Sequence, residues 1–214
     1  YLIKKSKSLK GKSLVSIFIN PKQFNDKKDY LNYPRNLKKD LLILKKLKID
    51  FVYLPTKKDI FKSKTMNKIF LDKFAKKLCG KTRKSHFKGV INIVNRFLEI
   101  INPKYLLLGM KDFQQLLLIS RHIHKRKIKT KIIPCRTIRE KNGVASSTRN
   151  KNLNTKQLKI ASNVYHFLKK NKNILFKNSN KIKNVFLGLG VSKIDYVEVL
   201  NIRTLAKPRS NREK

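Results

Sequence analysis

The stretch LLGMKDFQQ (107–115) places a glycine, a lysine, an aspartate and two glutamines at the end of an apolar run. Gly109 would let a ligand approach the backbone, Lys111 and the positive end of a helix would meet a phosphate, and Gln115 would offer an amide to a polar substrate. The same letters suit a helix start, with Asp112 as N-cap and Gln115 completing a capping box three residues on. Both interpretations can hold together.

Two further polar clusters follow apolar runs. In INPKQF (19–24), Asn20 and Pro21 could simply end a strand and start a turn, which would leave Gln23 in solvent. In REKNGVASSTRN (139–150), two hydroxyls and a guanidinium are suited to holding a polyphosphate by charge-assisted hydrogen bonds. These three side chains are Ser147, Thr148 and Arg149. Each cluster alone is weak evidence for a site.

Other chemical motifs are absent. The GKS and GKT tripeptides lack the first glycine of a phosphate-binding P-loop. Cys79 and Cys135 have no CxxC spacing and no nearby His pair, so they predict neither a zinc site nor a disulfide framework. His122 and His124 lie two residues apart on a predicted helix, where a packing or surface role is favoured over metal binding.

The secondary-structure elements that must position these clusters are predicted strands and helices that alternate along residues 13–135. Short apolar runs predict buried strands, and between the first two runs four leucines recur at helical spacing. This alternation predicts an α/β fold with a parallel sheet covered on both faces, and ligands then bind beyond the carboxyl ends of the strands. The predicted strands cover 13–19, 48–54, 104–109 and 129–135, the leucines are Leu37, Leu41, Leu44 and Leu47, and further helices are predicted at 86–101 and 112–126.

The pattern of predicted elements and the composition change after residue 135. A loop with Gly and Ser is followed by a predicted helix at about 155–170, a Lys- and Asn-rich connector and a predicted strand at 194–200. We therefore expect two domains, 1–135 and a smaller one at 136–214.

The charge is strongly basic, with 54 Lys and Arg against 12 Asp and Glu and a formal net charge of +42. Such a charge suggests a nucleic-acid partner. Lysine is nevertheless spread through almost every segment beside many Asn and Ile, and there is no Arg-rich tail. A solvated basic surface is therefore favoured, with no specific nucleic acid expected, and a basic RNA-binding protein stays as the alternative from another class.

The apolar runs are too short to cross a bilayer, which takes roughly 20 residues, and no export signal is visible, so a cytoplasmic protein is expected. The first residue is Tyr1, not methionine, which suggests a piece of a longer protein.

Five segments, in order and spacing, closely resemble successive motifs of the pantothenate synthetase (pantoate–beta-alanine ligase) family. They are SIFINPKQF, DYLNYPRNLKKD, RKSHFKGV, LLGMKDFQQL and REKNGVASSTRN. The resemblance implies a Rossmann-like nucleotidyltransferase domain with a smaller C-terminal α+β lid domain, as a homodimer. It implies that ATP and pantoate form a pantoyl adenylate and pyrophosphate, that beta-alanine then displaces AMP to give pantothenate for coenzyme A, and that Mg²⁺ takes part. Another nucleotidyltransferase of the same superfamily is the alternative within this fold.

The resemblance also implies roles for individual residues. On the substrate side, Gln23 and Gln115 match glutamines that grip pantoate, and Asn20 and Tyr33 lie on the pantoate and beta-alanine side. On the nucleotide side, Gly109 and Asp112 match ribose contacts, Lys111 matches the lysine that neutralises phosphate charge, and Ser147, Thr148 and Arg149 match the triphosphate-binding Ser-Ser-Arg. Asp40 falls where a magnesium-linked carboxylate is expected, and Arg83 and His86 match an active-site Arg and His without an assigned role.

The sequence also departs from the family pattern. Met110 stands in place of the usual Glu, Ser146 in place of a large residue against the adenine, and Thr148 in place of the second Ser. The family's Met-Gly-x-Leu-His-x-Gly-His segment would precede Tyr1, and its closing strand would follow the last residue. We therefore expect the 214 residues by themselves to be impaired in turnover.

Overall fold

The computed structural model describes residues 1–24, 27–62, 65–171, 179–202 and 204–209. Contacts between Cα atoms divide the chain into two compact units, Tyr1–Thr137 and Ile138–Lys214. This division lies two residues from the boundary after residue 135 that the change in sequence pattern predicts.

The first unit contains two pairs of parallel strands. Strand β1 (Leu14–Ser16) pairs with β2 (Phe51–Tyr53), and β3 (Tyr105–Gly109) pairs with β4 (Lys131–Cys135). Helices connect the two members of each pair, as a parallel arrangement requires. One continuous sheet was expected; in the described part of the chain, the backbone hydrogen bonds instead form two separate two-stranded ladders.

The first strand pair is shorter and more exposed than predicted. The runs 13–19 and 48–54 yield strands of only three residues. Leu14 and Phe51 are partners in the register and are 40% and 56% exposed. Side chains alternate between the two faces of a sheet, so the face that carries this pair is open, and the prediction of buried strands is wrong for it.

The start of this strand pair is fixed by a reciprocal contact. The backbone N–H and the hydroxyl of Ser13 donate to Asp50 Oδ2 at 2.8 and 2.6 Å. In return, Asp50 N donates to Ser13 Oγ at 3.2 Å. These hydrogen bonds to the charged carboxylate lower the pKa of Asp50 from 3.8 to about 2.

The described part of the first unit also contains seven α-helices. Two of them, α6 (His86–Ile101) and α7 (Phe113–Lys125), contribute most of the apolar core, including Ile91, Leu118 and Ile119. Both lie within one residue of their predicted ranges. The others are α1 (Leu2–Lys7), α2 (Lys27–Leu31), α3 (Leu37–Lys46), α4 (Lys57–Phe61) and α5 (Cys79–Thr82).

A buried polar network joins α6 to α7. The Nε2 atom of His122 lies 3.0 Å from Asn95 Oδ1, and His122 Nδ1 accepts from Phe70 N at 3.1 Å. The Asn95 amide donates to Glu99 Oε1 at 3.0 Å, and Glu99 forms a buried ion pair with Arg96. Because a backbone N–H can only donate, His122 carries its own proton on Nε2.

The second unit is built on α8 (Thr155–Lys170), as predicted, and α9 (Ser179–Gly188). A tight turn packs on α8: Gly143 has a φ of 82°, and a Cβ there would lie 2.2 Å from the Tyr165 ring. The guanidinium of Arg139 stacks 4.1 Å above the same ring. The turn thus anchors the loop that leads to Ser147.

The predicted strand at 194–200 is wrong: the structure has no strand there. Extended segments become strands only by hydrogen bonding to a neighbour. In the described residues of the second unit, the only such pairing is an isolated antiparallel bridge between Arg139 and Ala145. The β component of the expected α+β lid is therefore not formed in that part of the chain.

Candidate active site

The LLGMKDFQQ segment covers the end of strand β3, a short turn and the start of α7. The strand ends at Gly109, a 3-10 turn spans Met110–Asp112, and α7 begins at Phe113. Gly109 has an ordinary extended backbone, with φ of −73°, and a Cβ there would meet nothing within 4 Å. The open space beside this backbone leaves room for a ligand to approach.

The predicted capping box is not formed. Asp112 is the N-cap of α7, but its backbone angles are φ −99° and ψ 57°, and its side chain makes no capping hydrogen bond. A capping side chain normally needs a β-region backbone to reach the amides of the first turn. Within the described ranges, Lys111, Asp112 and Gln115 make no side-chain hydrogen bond or ion pair.

Gln114 is the residue of this segment that sequence reasoning missed. It is only 7% exposed, and its Nε2 donates to Phe74 O at 3.0 Å and Lys77 O at 2.8 Å. Its Oε1 accepts from Cys79 N at 3.2 Å. The side chain therefore holds the segment that leads into α5, and only its place on the buried face of α7 distinguishes it from Gln115.

The INPKQF cluster lies on the first turn of α6. Residues Pro21–Gln23 form a 3-10 turn, closed by Gln23 N donating to Asn20 O at 3.0 Å. Asn20 is buried, and its amide donates to Gly89 O at 3.4 Å. Gln23 is partly exposed, not fully solvated.

Arg83 and His86 meet at the backbone carbonyl of Gln23. His86 Nδ1 lies 2.7 Å from this oxygen and Arg83 Nη2 lies 3.0 Å from it. Since a carbonyl can only accept, Nδ1 of His86 carries the proton. Burial and the neighbouring Arg83 guanidinium lower the pKa of His86 below its ordinary 6.5, so the ring is neutral near pH 7.

Asp112 links this group to the β3–α7 segment. Its carboxylate is close enough to His86 to oppose the lowering of the histidine pKa. Hydrogen bonds bring together Asn20, Gln23, Arg83 and His86 around the start of α6, and the Asp112 carboxylate is near enough to act on His86 electrostatically. Gly109, Lys111 and Gln115 lie on the same segment as Asp112.

Two other predicted residues lie at the edge of this group or away from it. The Tyr33 ring packs edge-on against Phe24, with centroids 5.4 Å apart, directly after the Gln23 turn. Asp40 is exposed on the first turn of α3. In the parts of the chain that the structure describes, no three His, Cys, Asp or Glu side chains cluster as metal ligands.

The predicted triphosphate contacts belong to the second unit. Ser147 is the N-cap of a 3-10 helix, Thr148–Asn152, and its hydroxyl oxygen accepts from Arg149 N at 3.3 Å. Asn150 Nδ2 donates to Ala145 O at 3.0 Å and steadies the same loop. Thr148 and Arg149 are exposed.

Comparison with known proteins settles the family. A family model for pantoate-beta-alanine ligase matches residues 1–214. The chain belongs to the pantoate-beta-alanine ligase family. It is therefore a member of a family of acid–amino-acid ligases.

Individual relatives agree. A pantothenate synthetase from Francisella tularensis subsp. novicida is 39% identical over 203 residues, covering 94% of this chain and 76% of the relative. One from Clostridium botulinum is 37% identical over 211 residues, covering 95% and 75%. The chain thus spans about three quarters of the length of these relatives.

Solved structures confirm the Rossmann-like nucleotidyltransferase fold. A crystal structure of pantoate-beta-alanine ligase from Francisella tularensis, complexed with beta-gamma ATP and beta-alanine, is 36% identical. It has a TM-score of 0.79 and covers 92% of this chain and 79% of that one. A pantothenate synthetase structure from Thermus thermophilus has a TM-score of 0.84 at 25% identity, covering 97% and 78%. In the described residues, no helix is long and apolar enough to cross a membrane.

Proposed function

We propose that the chain joins pantoate and beta-alanine to form pantothenate at the expense of ATP, through a pantoyl adenylate, with release of AMP and pyrophosphate. One observation carries the proposal beyond family membership. His86 contacts the Gln23 carbonyl, and the Asp112 carboxylate opposes the lowering of its pKa, so the segments assigned to pantoate and to the nucleotide both lie near one histidine. The relative solved with beta-gamma ATP and beta-alanine supports the same substrates here.

The first step needs positioning and charge neutralisation. A pantoate carboxylate oxygen attacks the α-phosphorus of ATP, a new P–O bond forms, and the bond to pyrophosphate breaks. The nucleophile is already ionised, so no general base is required. The ammonium of Lys111, exposed at the end of β3, offsets the charge that develops on the phosphate, while Gln23 and Gln115 hold the pantoate.

The second step is acyl transfer. The unprotonated amine of beta-alanine attacks the acyl carbon of the adenylate, the C–O bond to AMP breaks, and the nitrogen loses a proton. Asn20 and Tyr33 lie on this side of the proposed site. The protein's main contribution is to hold the reactive adenylate beside the amine and away from water.

The nucleotide contacts follow the family resemblance. We assign the ribose to Gly109 and Asp112 and the triphosphate to Ser147, Thr148 and Arg149, which would make the second unit a lid. Mg²⁺ in proteins is commonly bound by one or two carboxylates together with substrate phosphates, and Asp40 is an exposed carboxylate of that kind. When bound, the metal would offset phosphate charge. We also propose a cytoplasmic homodimer.

A turnover assay with a binding assay beside it tests the proposal. AMP and pantothenate should appear only when ATP, pantoate and beta-alanine are all present. Calorimetry should show separately that the chain binds pantoate and ATP. AMP release that is independent of pantoate and beta-alanine, or a chain that binds ATP but no pantoate, would refute the proposal.

A further inference from the structure

The Gln23 carbonyl receives two side-chain donors from one short segment. The Arg83 guanidinium and the His86 imidazole reach it at 3.0 and 2.7 Å, although they lie 60 and 63 residues further along the chain. This oxygen belongs to the residue whose side chain we assign to pantoate. A carbonyl with two lone pairs can accept both hydrogen bonds, so its acceptor capacity is filled.

The backbone between the two donors explains how they converge. Ser85 lies in the left-handed region, with φ of 62° and ψ of −6°, between the end of α5 and the start of α6. A non-glycine residue there is uncommon and costs conformational energy. The bend places Arg83, from the end of α5, and His86, from the first position of α6, against the same oxygen.

The protonation state of His86 suits this arrangement. His86 is 7% exposed, and burial and Arg83 both lower its pKa, so a neutral imidazole donates through Nδ1 beside a charged guanidinium. Two cations at one carbonyl would repel each other. With Nδ1–H directed at a backbone oxygen, the histidine acts on the Gln23 turn through a fixed hydrogen bond.

The other end of the turn is also tied to α6. Asn20 donates to Gly89 O at 3.4 Å, and Gln23 N donates to Asn20 O at 3.0 Å. The side chains of Asn20, Arg83 and His86 therefore fix a turn of four residues to the end of α5 and the first turn of α6. The Gln23 side chain extends from a backbone that is held on both sides.

We infer that Arg83 and His86 are positioning residues that hold the Gln23 turn on α6 and thereby set the pantoate-binding geometry. This inference rests on the proposed function for its substrate, but the hold on the turn itself does not. A displacement of about 1 Å at a positioning group can cost about 100-fold in activity, so loss of either donor should be measurable.

The test compares four variants. His86→Ala and Arg83→Ala remove one donor each, and His86→Asn keeps an N–H near the place of Nδ1. Lys84→Ala is the matched control, because Lys84 is exposed, lies between the two donors and loses the same charge as Arg83→Ala. Calorimetry gives the Kd for pantoate and for ATP, and hydrogen exchange reports the protection of residues 20–24.

The expected result is a pantoate Kd raised about 10-fold in His86→Ala and Arg83→Ala, with the ATP Kd within about twofold of the original. Protection of the Gln23 amide should fall in the same two variants, and His86→Asn should recover most of both losses. If His86→Ala does not fold, Arg83→Ala and His86→Asn still decide the question. Unchanged protection in Arg83→Ala, or a His86→Asn variant with the Gln23 amide as exposed as in His86→Ala, would overturn the inference.

The two proposals fail differently. If the original chain binds ATP but not pantoate, while the variants still lose protection at the Gln23 turn, the proposed substrate is wrong and the positioning role stands. If pantoate binds but neither Kd nor protection changes in the variants, the positioning role is wrong and the proposed function stands.

Discussion

Gln114 and Gln115 are neighbours in α7, yet Gln114 is buried with three hydrogen bonds to the segment 74–79, while Gln115 is partly exposed and makes none in the described part of the chain. Adjacent residues on a helix point about 100° apart. The same type of side chain can therefore serve two purposes: Gln114 supports the segment that leads into α5, and Gln115 is the residue that we propose binds the ligand.

Alanine substitutions should separate these two roles. Gln114→Ala removes three hydrogen bonds, to Phe74 O, Lys77 O and Cys79 N, so we expect the free energy of unfolding to fall by about 3 kcal/mol. Gln115→Ala should leave stability within about 0.5 kcal/mol and weaken pantoate binding about 10-fold. Urea unfolding and calorimetry provide the two measurements. A Gln115→Ala variant that lost stability and kept its affinity would reverse the assignment.

The long helices were predictable because their signal is local. Apolar residues at helical spacing are sufficient to place α6, α7 and α8 within one residue of their ends. The prediction of a strand at 194–200 was wrong because an apolar pattern does not indicate a pairing partner. An extended segment forms a strand only when it is hydrogen-bonded to a neighbouring segment. The same limit explains why two strand pairs appear where one sheet was expected.

The sequence motifs name candidate site residues, but they do not predict the contacts that those residues make. The motifs identify Arg83 and His86, yet nothing in their spacing indicates that both reach a carbonyl 60 and 63 residues away. The prediction of a capping box failed for the opposite reason. Its two residues are close in sequence, but the 3-10 turn before α7 gives Asp112 backbone angles that do not allow its side chain to cap the helix.

Lys111 should matter for catalysis and not for folding. It is exposed and makes no side-chain hydrogen bond or ion pair within the described residues, so Lys111→Met should unfold at the same urea concentration as the original chain. Loss of its charge beside the developing phosphate charge should lower kcat for AMP release about 100-fold or more.

The matched control for Lys111→Met is Lys125→Met, which removes the same charge from an exposed position in the last turn of α7. It should leave kcat unchanged. Equal losses in the two variants would mean that Lys111 acts only through net charge.

The Ser13–Asp50 contact predicts a measurable pKa. Asp50 should titrate at about 2, because Ser13 donates to its carboxylate from both the hydroxyl and the backbone N–H. Ser13→Ala removes the hydroxyl donor and should raise the pKa of Asp50 toward its ordinary 3.8, as followed by carboxyl NMR.

A second carboxylate is the internal control in the same spectra. The pKa of Asp59 is also lowered, by hydrogen bonds from the backbone N–H and hydroxyl of Thr56, and this contact does not involve Ser13. It should stay unchanged in Ser13→Ala. A shift of both carboxylates would indicate a general loss of structure instead of a lost hydrogen bond.

His122 should make the protein less stable in acid. Burial, and then the nearby Arg126, lower the pKa of His122 below its value of 6.5 in an unfolded chain. The unfolded state therefore binds a proton at a higher pH than the folded state does. The stabilisation that comes from a neutral, buried His122 is fully present above pH 6.5 and is lost as the pH falls through the folded-state pKa. For this one group, the free energy of unfolding changes by at most about 1.4 kcal/mol per pH unit.

Urea unfolding between about pH 8 and pH 5 can isolate this effect. His86 has a lowered pKa too and contributes a slope of the same sign, so the comparison must be made between variants. His122→Gln should reduce the slope, while His124→Gln, two residues on and exposed, should leave it unchanged.

Protonation of His122 would also set a cation against the Phe70 N–H, which donates to Nδ1 of the neutral ring, so the loop that contains Phe70 should lose hydrogen-exchange protection first. If His122→Gln kept the full slope, the buried network would not be the source of the acid sensitivity.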